Sequence, residues 1–282
     1  MSNQESLQRN ILRELQKTGY PTEIVSASIM QQRGWTVIHN PSYRDDREGI
    51  GREFDIRAYR SWSFDTAGGE FAVGVYLITE CKKSEKPWVF FATPEKHEYS
   101  RLGELIKGRV AGKRVFTSRN HADSLMSDDE LRALHHYFQK QSLAHTFYEP
   151  FKGQEKADTS PMIYSAVMSS IKATLFHYQD RPIENWLRIY YPVIIFDGNL
   201  FEAHIAPNKT IDLVISDHIQ LSFNYMLPSQ SSHRSIWEGQ QRFIVDVVRE
   251  SYLDQFLEAI EDEHAVLIKH LQEALGDTTG SA

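Results

Sequence analysis

Three side chains stand out for what their types and spacing can do. Asp55 lies in Arg52-Glu53-Phe54-Asp55-Ile56, and Glu80 and Lys82 lie in Glu80-Cys81-Lys82. Both stretches read as strands. Residues i and i+2 of a strand share a face, so Glu80 and Lys82 point one way and Cys81 the other. A paired strand can bring Asp55 beside them. Two carboxylates at the end of a buried hairpin repel unless a cation lies between them, and an oxygen-only donor set suits Mg²⁺ or Mn²⁺ rather than zinc. The lysine adds an ammonium able to hold a water or hydroxide and to stabilise charge on a phosphate oxygen in the transition state.

The elements that must position these residues are legible as periodic patterns. Residues 5–17 form an amphipathic helix through Leu7, Ile11, Leu12 and Leu15, ended by Thr18-Gly19-Tyr20. A second helix runs over 21–33, with Pro21 at its favoured first position and Gly34 as its stop. Strands follow at 35–39, 54–62 and 71–82, the last two as a hairpin across the turn-rich Thr66-Ala67-Gly68-Gly69. Apolar residues occupy both parities of 71–82, which predicts a central strand covered on both faces. Next come a strand at 88–92, a charged and partly helical stretch over 94–153, and a polar loop at 149–161. A helix at 160–177 begins with the capping pair Ser160-Pro161. Further strands are predicted at 189–196, 200–205, 211–215, 219–224 and 243–248, before a long helix over 252–275. That helix repeats Leu253, Leu257, Ile260, His264, Leu267 and Leu271 at spacings of four and three, a stripe that packs on the body or on a partner helix.

The acid, the Glu-X-Lys and the elements around them resemble the PD-(D/E)XK nuclease superfamily, which includes many restriction and repair endonucleases. The resemblance implies an α/β fold with a restriction-endonuclease-like core, α-β-β-β-α-β around a mixed central sheet, here followed by additional C-terminal strands and the long final helix. The core elements would be 21–33, 35–39, 54–62, 71–82, 160–177 and 189–196. The whole chain, 1–282, then reads as one elaborated domain, with core 18–92 plus 160–205, insertion 94–153 and C-terminal part 206–275. By the same resemblance Asp55 matches the first acid, Glu80 and Lys82 the Glu-X-Lys, and Glu23 the glutamate of the first helix; the backbone carbonyl of Cys81 is the expected extra metal ligand. Phe54 stands where the family pattern has proline.

The implied activity is Mg²⁺-dependent hydrolysis of phosphodiester bonds, with Mn²⁺ as substitute. Asp55 and Glu80 would hold the metal, Lys82 would position and activate the attacking water, and Glu23 would bind a second metal or orient the first. The substrate would be nucleic acid, DNA before RNA, in restriction, repair or phage defence. The competing reading is a catalytically silent nucleic-acid-binding or scaffold protein that keeps the fold.

Charge is consistent with a polyanion met on one face only. The 282 residues carry a net charge of -7, which argues against wholesale coating of nucleic acid. Between Arg101 and Arg119, however, six bases face one acid. Arg101, Lys107, Arg109, Lys113 and Arg114 are therefore candidate phosphate contacts together with Lys83, and Tyr99 and Phe116 flank them for stacking. The longest apolar runs, 72–78 and 192–196, fall far short of the ~18 residues of a membrane-spanning helix. The polar N-terminus has no secretory pattern, and one cysteine permits no intrachain disulfide, so a cytoplasmic setting is expected. A homodimer or a partner protein would engage the final helix. Other motifs fail on spacing. Gly108 to Arg114 is one residue short of a phosphate loop, and His135-His136, His264 and His270 lack the spacing that marks zinc.

Overall fold

Two helices open the chain, α1 (Asn3–Leu15) and α2 (Tyr20–Gln32). Pro21 sits in the first turn of α2, where a missing N–H costs nothing. The helix ends because Gly34 adopts φ +81°, a left-handed conformation that side chains resist. The Gly34 N–H then donates to Gln31 O at 2.9 Å, and the Trp35 N–H to Met30 O at 3.0 Å, a Schellman-type end.

The computed structural model describes residues 3–45, 48–66, 69–94, 110–111, 134–149, 161–178, 185–226 and 240–276. Its strands are β1 (Thr36–His39), β2 (Ser42–Arg44), β3 (Gly51–Glu53), β4 (Ile56–Thr66), β5 (Gly69–Lys83), β6 (Trp88–Thr93) and β7 (Val110–Ala111). After the short helix α3 (His136–Gln139) come β8 (Leu143–Tyr148), helix α4 (Pro161–Tyr178), β9 (Trp186–Asp197), β10 (Leu200–Ile205), β11 (Ile211–Ile215), β12 (His218–Met226) and β13 (Gln240–Arg249). A 3₁₀ turn, Glu250–Tyr252, leads into the last helix, α5 (Leu253–Gly276). One mixed sheet of 11 strands runs β1-β4-β5-β9-β13-β12-β8-β6-β10-β11, with β7 beside β9, while β2 and β3 form a separate hairpin. β4 pairs antiparallel with both β1 and β5, whereas β5, β9 and β13 run parallel. The chain is thus mixed α/β with a large central sheet and a C-terminal helix.

The double parity of apolar residues in β5 has the expected result. Val73, Val75, Leu77 and Cys81 pack with Ala27 and Met30 of α2 and with Phe256, Leu257 and Ile260 of α5. On the other face Tyr76 and Ile78 pack with Ala173 and Phe176 of α4. The stripe of α5 is buried on the chain's own sheet, with Leu253, Leu257, Ile260 and Leu271 all at 0% exposure. The expectation of a partner on that stripe is thereby corrected, because the body takes the apolar face first. β8 also departs from expectation. It lies in the stretch read as partly helical, yet it is a strand held by hydrogen bonds from β6 and β12, a non-local cause that no local pattern announces.

The α5 face also buries a charged network. The His136 ring lies between two carboxylates, Nδ1 2.8 Å from Glu263 Oε2 and Nε2 3.3 Å from Asp246 Oδ2. His218 Nε2 sits 3.0 Å from Asp246 Oδ1, and the Tyr191 hydroxyl donates to Glu263 Oε1 at 3.2 Å. Burial alone would pull the His136 pKa down, but Glu263 and Asp246 outweigh it and lift the group to about 10. His135, His218 and His264 go the other way, lowered first by burial, so the network holds one imidazolium among neutral rings.

Removing His136 strands two buried carboxylates, so His136→Leu should cost ~3–5 kcal/mol in urea unfolding. The raised pKa fixes the sign of the pH dependence. The His136 contribution is complete below the ordinary histidine value of 6.5 and is lost as pH rises through about 10. The stability difference between wild type and His136→Leu should shrink over that window; a constant difference would show that His136 is not the charged member.

Candidate active site

The β4–β5 ladder ends with Ile56 paired to Thr79, which leaves Asp55 beside Glu80 at the open end of the hairpin. Asp55 itself is not within the strand, contrary to expectation. It lies in the link between β3 and β4, its carbonyl accepting the Asn40 N–H at 3.0 Å. Because the ladder has stopped, the next N–H of β5 has no strand partner, and the Asp55 carboxylate takes that role, Oδ2 accepting from Cys81 N at 2.6 Å. The aspartate is thereby anchored to the strand that carries the other two groups.

Lys82 closes the arrangement. Its Nζ donates to Glu80 Oε2 at 2.5 Å, to Cys81 O at 3.2 Å and to Asp55 Oδ2 at 3.4 Å. Glu80 is only 5% exposed. Burial raises its pKa, Lys82 opposes the rise, and Asp55 adds to it. For Lys82, burial pulls the pKa down, but Glu80 and Asp55 more than offset it and the net shift is upward. The ammonium therefore stays charged. Ser169 of α4 hydrogen-bonds both Glu80 and Tyr43, fixing the glutamate from the α4 side.

The first turn of α2 comes up against the same strand end. A Cβ at Gly19, just before α2, would lie 3.6 Å from Cys81 O and 4.0 Å from Glu23 Oε1, ordinary contact distances that set the start of α2 and Glu23 beside the strand end. The Glu23 pKa is raised, first by burial and then by Asp55, while Lys82 opposes. Cys81 is buried, its thiol pKa pushed well up by burial first and then by Asp55, so the backbone carbonyl is what it offers. Lys83, expected to meet phosphate, instead pairs with Asp197 at the end of β9. Nearby, burial followed by Asp197 raises the pKa of Glu250. Of the other expected phosphate contacts, Arg101, Lys107, Arg109, Lys113 and Arg114 lie outside the described residues, as do Tyr99 and Phe116.

A cleft of about 730 Å³ opens from Glu80 between the β2–β3 hairpin and α4, lined among others by Tyr43, Arg52, Tyr164, Ser169 and Lys172. Arg52 and Lys172 are tethered to buried Asp45 at 3.2 and 2.6 Å. The α4 residues of this wall went unseen in the sequence because their helical spacing reads like any half-exposed helix face.

The donor set fits a hard divalent cation. Oxygens of Asp55, Glu80 and Cys81 already surround a positive charge, the Lys82 ammonium, and no nitrogen or sulfur ligand faces them among the described residues. A second group, His135, His136 and Glu263, has donor atoms within 4.8 Å of one another. Its nitrogens are engaged, however. Both His136 nitrogens meet carboxylates, and His135 Nδ1 accepts the Tyr137 N–H at 3.2 Å, which leaves the proton on Nε2. An ion there would have to displace these bonds, and the ion pairs account for the group without one. Comparisons with family models, characterised proteins and solved structures yield no match.

Titration calorimetry with Mn²⁺ should detect binding that Asp55→Asn and Glu80→Gln each weaken at least ~10-fold and that His135→Ala leaves unchanged. Because Glu80 titrates above the ordinary 4.5, affinity should begin to fall at a pH above that value as protons compete with the cation. Equal binding in all variants would move the cation elsewhere.

Proposed function

We propose that the chain is a metal-dependent phosphodiester hydrolase of the PD-(D/E)XK kind, acting on nucleic acid, DNA first. The observation that carries the reading is the trio of oxygens from Asp55, Glu80 and Cys81 around the Lys82 ammonium at the ends of two paired strands. The path of the chain supports it. Helix α2, strands β1, β4 and β5, helix α4 and strand β9 follow one another in the order the resemblance implies, and β1-β4-β5-β9 are consecutive neighbours in the sheet. The β2–β3 hairpin between β1 and β4 and the strands β6 to β8 before α4 are additions to that order.

Asp55, Glu80 and the Cys81 carbonyl are the groups that would hold Mg²⁺ or Mn²⁺. When bound, such a cation polarises the phosphate and lowers the pKa of a coordinated water. Lys82 has its own part. With its pKa raised it cannot serve as a neutral base at neutral pH, so its work is electrostatic: it holds the attacking oxygen by charge and steadies the negative charge that grows on the phosphate. Glu23, at the rim with a raised pKa, is placed to accept a proton from the attacking water. Arg52, paired with Asp45 and Glu48, and Lys172, paired with Asp45, line the cleft that opens from Glu80, where a phosphate flanking the scissile bond would pass.

Purified protein incubated with plasmid, single-stranded DNA and RNA should cleave at least one of them with Mg²⁺ or Mn²⁺ and none with EDTA. Lys82→Met, which keeps the stem and removes the charge, should slow cleavage at least ~10²-fold without weakening Mn²⁺ binding. Intact Mn²⁺ binding with no cleavage of any substrate would favour the silent scaffold instead. The basic segment is tested by salt. Charge reversal of Lys113 and Arg114 should flatten the slope of log affinity against log salt by ~0.9 per lost contact on duplex DNA; an unchanged slope would remove this segment from the interface.

A further inference from the structure

Strand β11 closes the sheet at the end far from β4 and β5, and its pairing with β10 shows which of its backbone groups face outward. The Ala206 N–H donates to Thr210 O and the Ser216 N–H to Leu200 O, each at 3.0 Å. Hydrogen-bonded pairs alternate along an antiparallel ladder, so residues 210, 212, 214 and 216 turn their N–H and C=O groups toward β10. Ile211, Leu213 and Ile215 turn theirs away from it. Among the described residues no strand pairs with β11 on that side. Its apolar side chains are also open to solvent, from Val214 at 47% to Ile215 at 68% exposure. Edge strands are ordinarily blunted by charges, proline or a bulge. This one carries a single charge, Asp212, and its register with β10 has no shift.

We infer that β11 is a homodimer edge, on which a second copy lays its own β11 antiparallel about a two-fold axis through Leu213. The sequence of the strand argues for a second copy over an unlike partner. Ile211-Asp212-Leu213-Val214-Ile215 reads Ile-x-Leu-x-Ile from either end, and a two-fold interface requires such self-complementarity. The register sets Leu213 opposite Leu213 of the second copy and Ile211 opposite Ile215. These are the residues whose backbone groups point outward, so each pair exchanges both hydrogen bonds, about six in all. Apolar side chains meet across one face, and Asp212 meets Val214 on the other. The register also carries the Lys209 turn of each copy toward Asp217 of the other, which its own Arg249 also pairs. Nothing in this interface touches Asp55, Glu80 or Lys82, so it is independent of the catalytic reading.

Sedimentation equilibrium on the full chain should show a monomer–dimer equilibrium. Leu213→Lys, which sets two ammonium groups against each other on the axis, should raise the dimer Kd at least ~10²-fold. Leu213→Cys tests the register. Cα atoms of a hydrogen-bonded pair lie about 5.5 Å apart, within disulfide reach, and the chain's own Cys81 is buried. Mild oxidation should therefore cross-link Leu213→Cys to itself, and Ile211→Cys to Ile215→Cys in a mixture, but not Ile215→Cys alone. Mn²⁺ binding and far-ultraviolet circular dichroism serve as folding controls for each variant. A wild-type chain that stays monomeric through the micromolar range, a dimer untouched by Leu213→Lys, or self-cross-linking of Ile215→Cys as fast as Leu213→Cys would each overturn the inference.

Discussion

A carboxylate that is 5% exposed must be answered by positive charge, and the end of β5 is organised around that requirement at Glu80. Lys82 supplies the charge from two residues away, on the face that strand parity dictates. Asp55 is drawn to the same point by the unpaired Cys81 N–H. Ser169 meets Glu80 from α4, and the start of α2 lies against the Cys81 carbonyl. Helices on opposite faces of the sheet thus meet one cluster of charge that the strand end creates.

Two of the buried ionic groups among the described residues differ in how fully their charges are met. Around Glu263 and Asp246 the oxygens are met by the charged His136, by Tyr191 and by His218. That group is closed. At the end of β5, Asp55, Glu80 and Glu23 share a single neighbouring ammonium, and the pKa of each glutamate is raised. Burial is the first cause of both rises, Asp55 adds to each, and Lys82 opposes them. On the proposed reading a divalent cation would offset the repulsion between Asp55 and the glutamates, whereas at the first group it would have to displace existing bonds.

The sheet also separates two kinds of work. Its doubly covered middle, β5, β9 and β13, is rigid because apolar side chains fill both faces. The cluster of Asp55, Glu80 and Lys82 at the end of such a strand inherits that rigidity, which is what the proposed electrostatic catalysis would require. The far edge strand, β11, is covered by no helix contact of comparable extent among the described residues and turns the backbone groups of alternate residues outward.

The pairing of Asp55 with Glu80 and Lys82 was legible in the sequence because it rests on local regularities: the two-residue period of a strand, apolar residues on both parities, and a tight hairpin that fixes register. The same holds for α2, whose proline start and glycine stop are local signals, and for α4 and α5, whose stripes have helical period. Other features depend on which element lies beside which. Asp55 leaves the strand because the β4–β5 ladder stops one residue early, and β8 is a strand because β6 and β12 flank it. His136 meets Glu263 and Asp246 across more than a hundred residues of chain, a contact no spacing announces. The stripe of α5 fitted packing on the body first and a partner helix second, and the fold buries it on the sheet. Ile211 to Ile215 has the composition of an interior strand, and only the order of the sheet makes it an edge. Hydrogen bonding and periodicity are properties of neighbouring residues, whereas burial and charge compensation are decided by what the folded chain brings next to them.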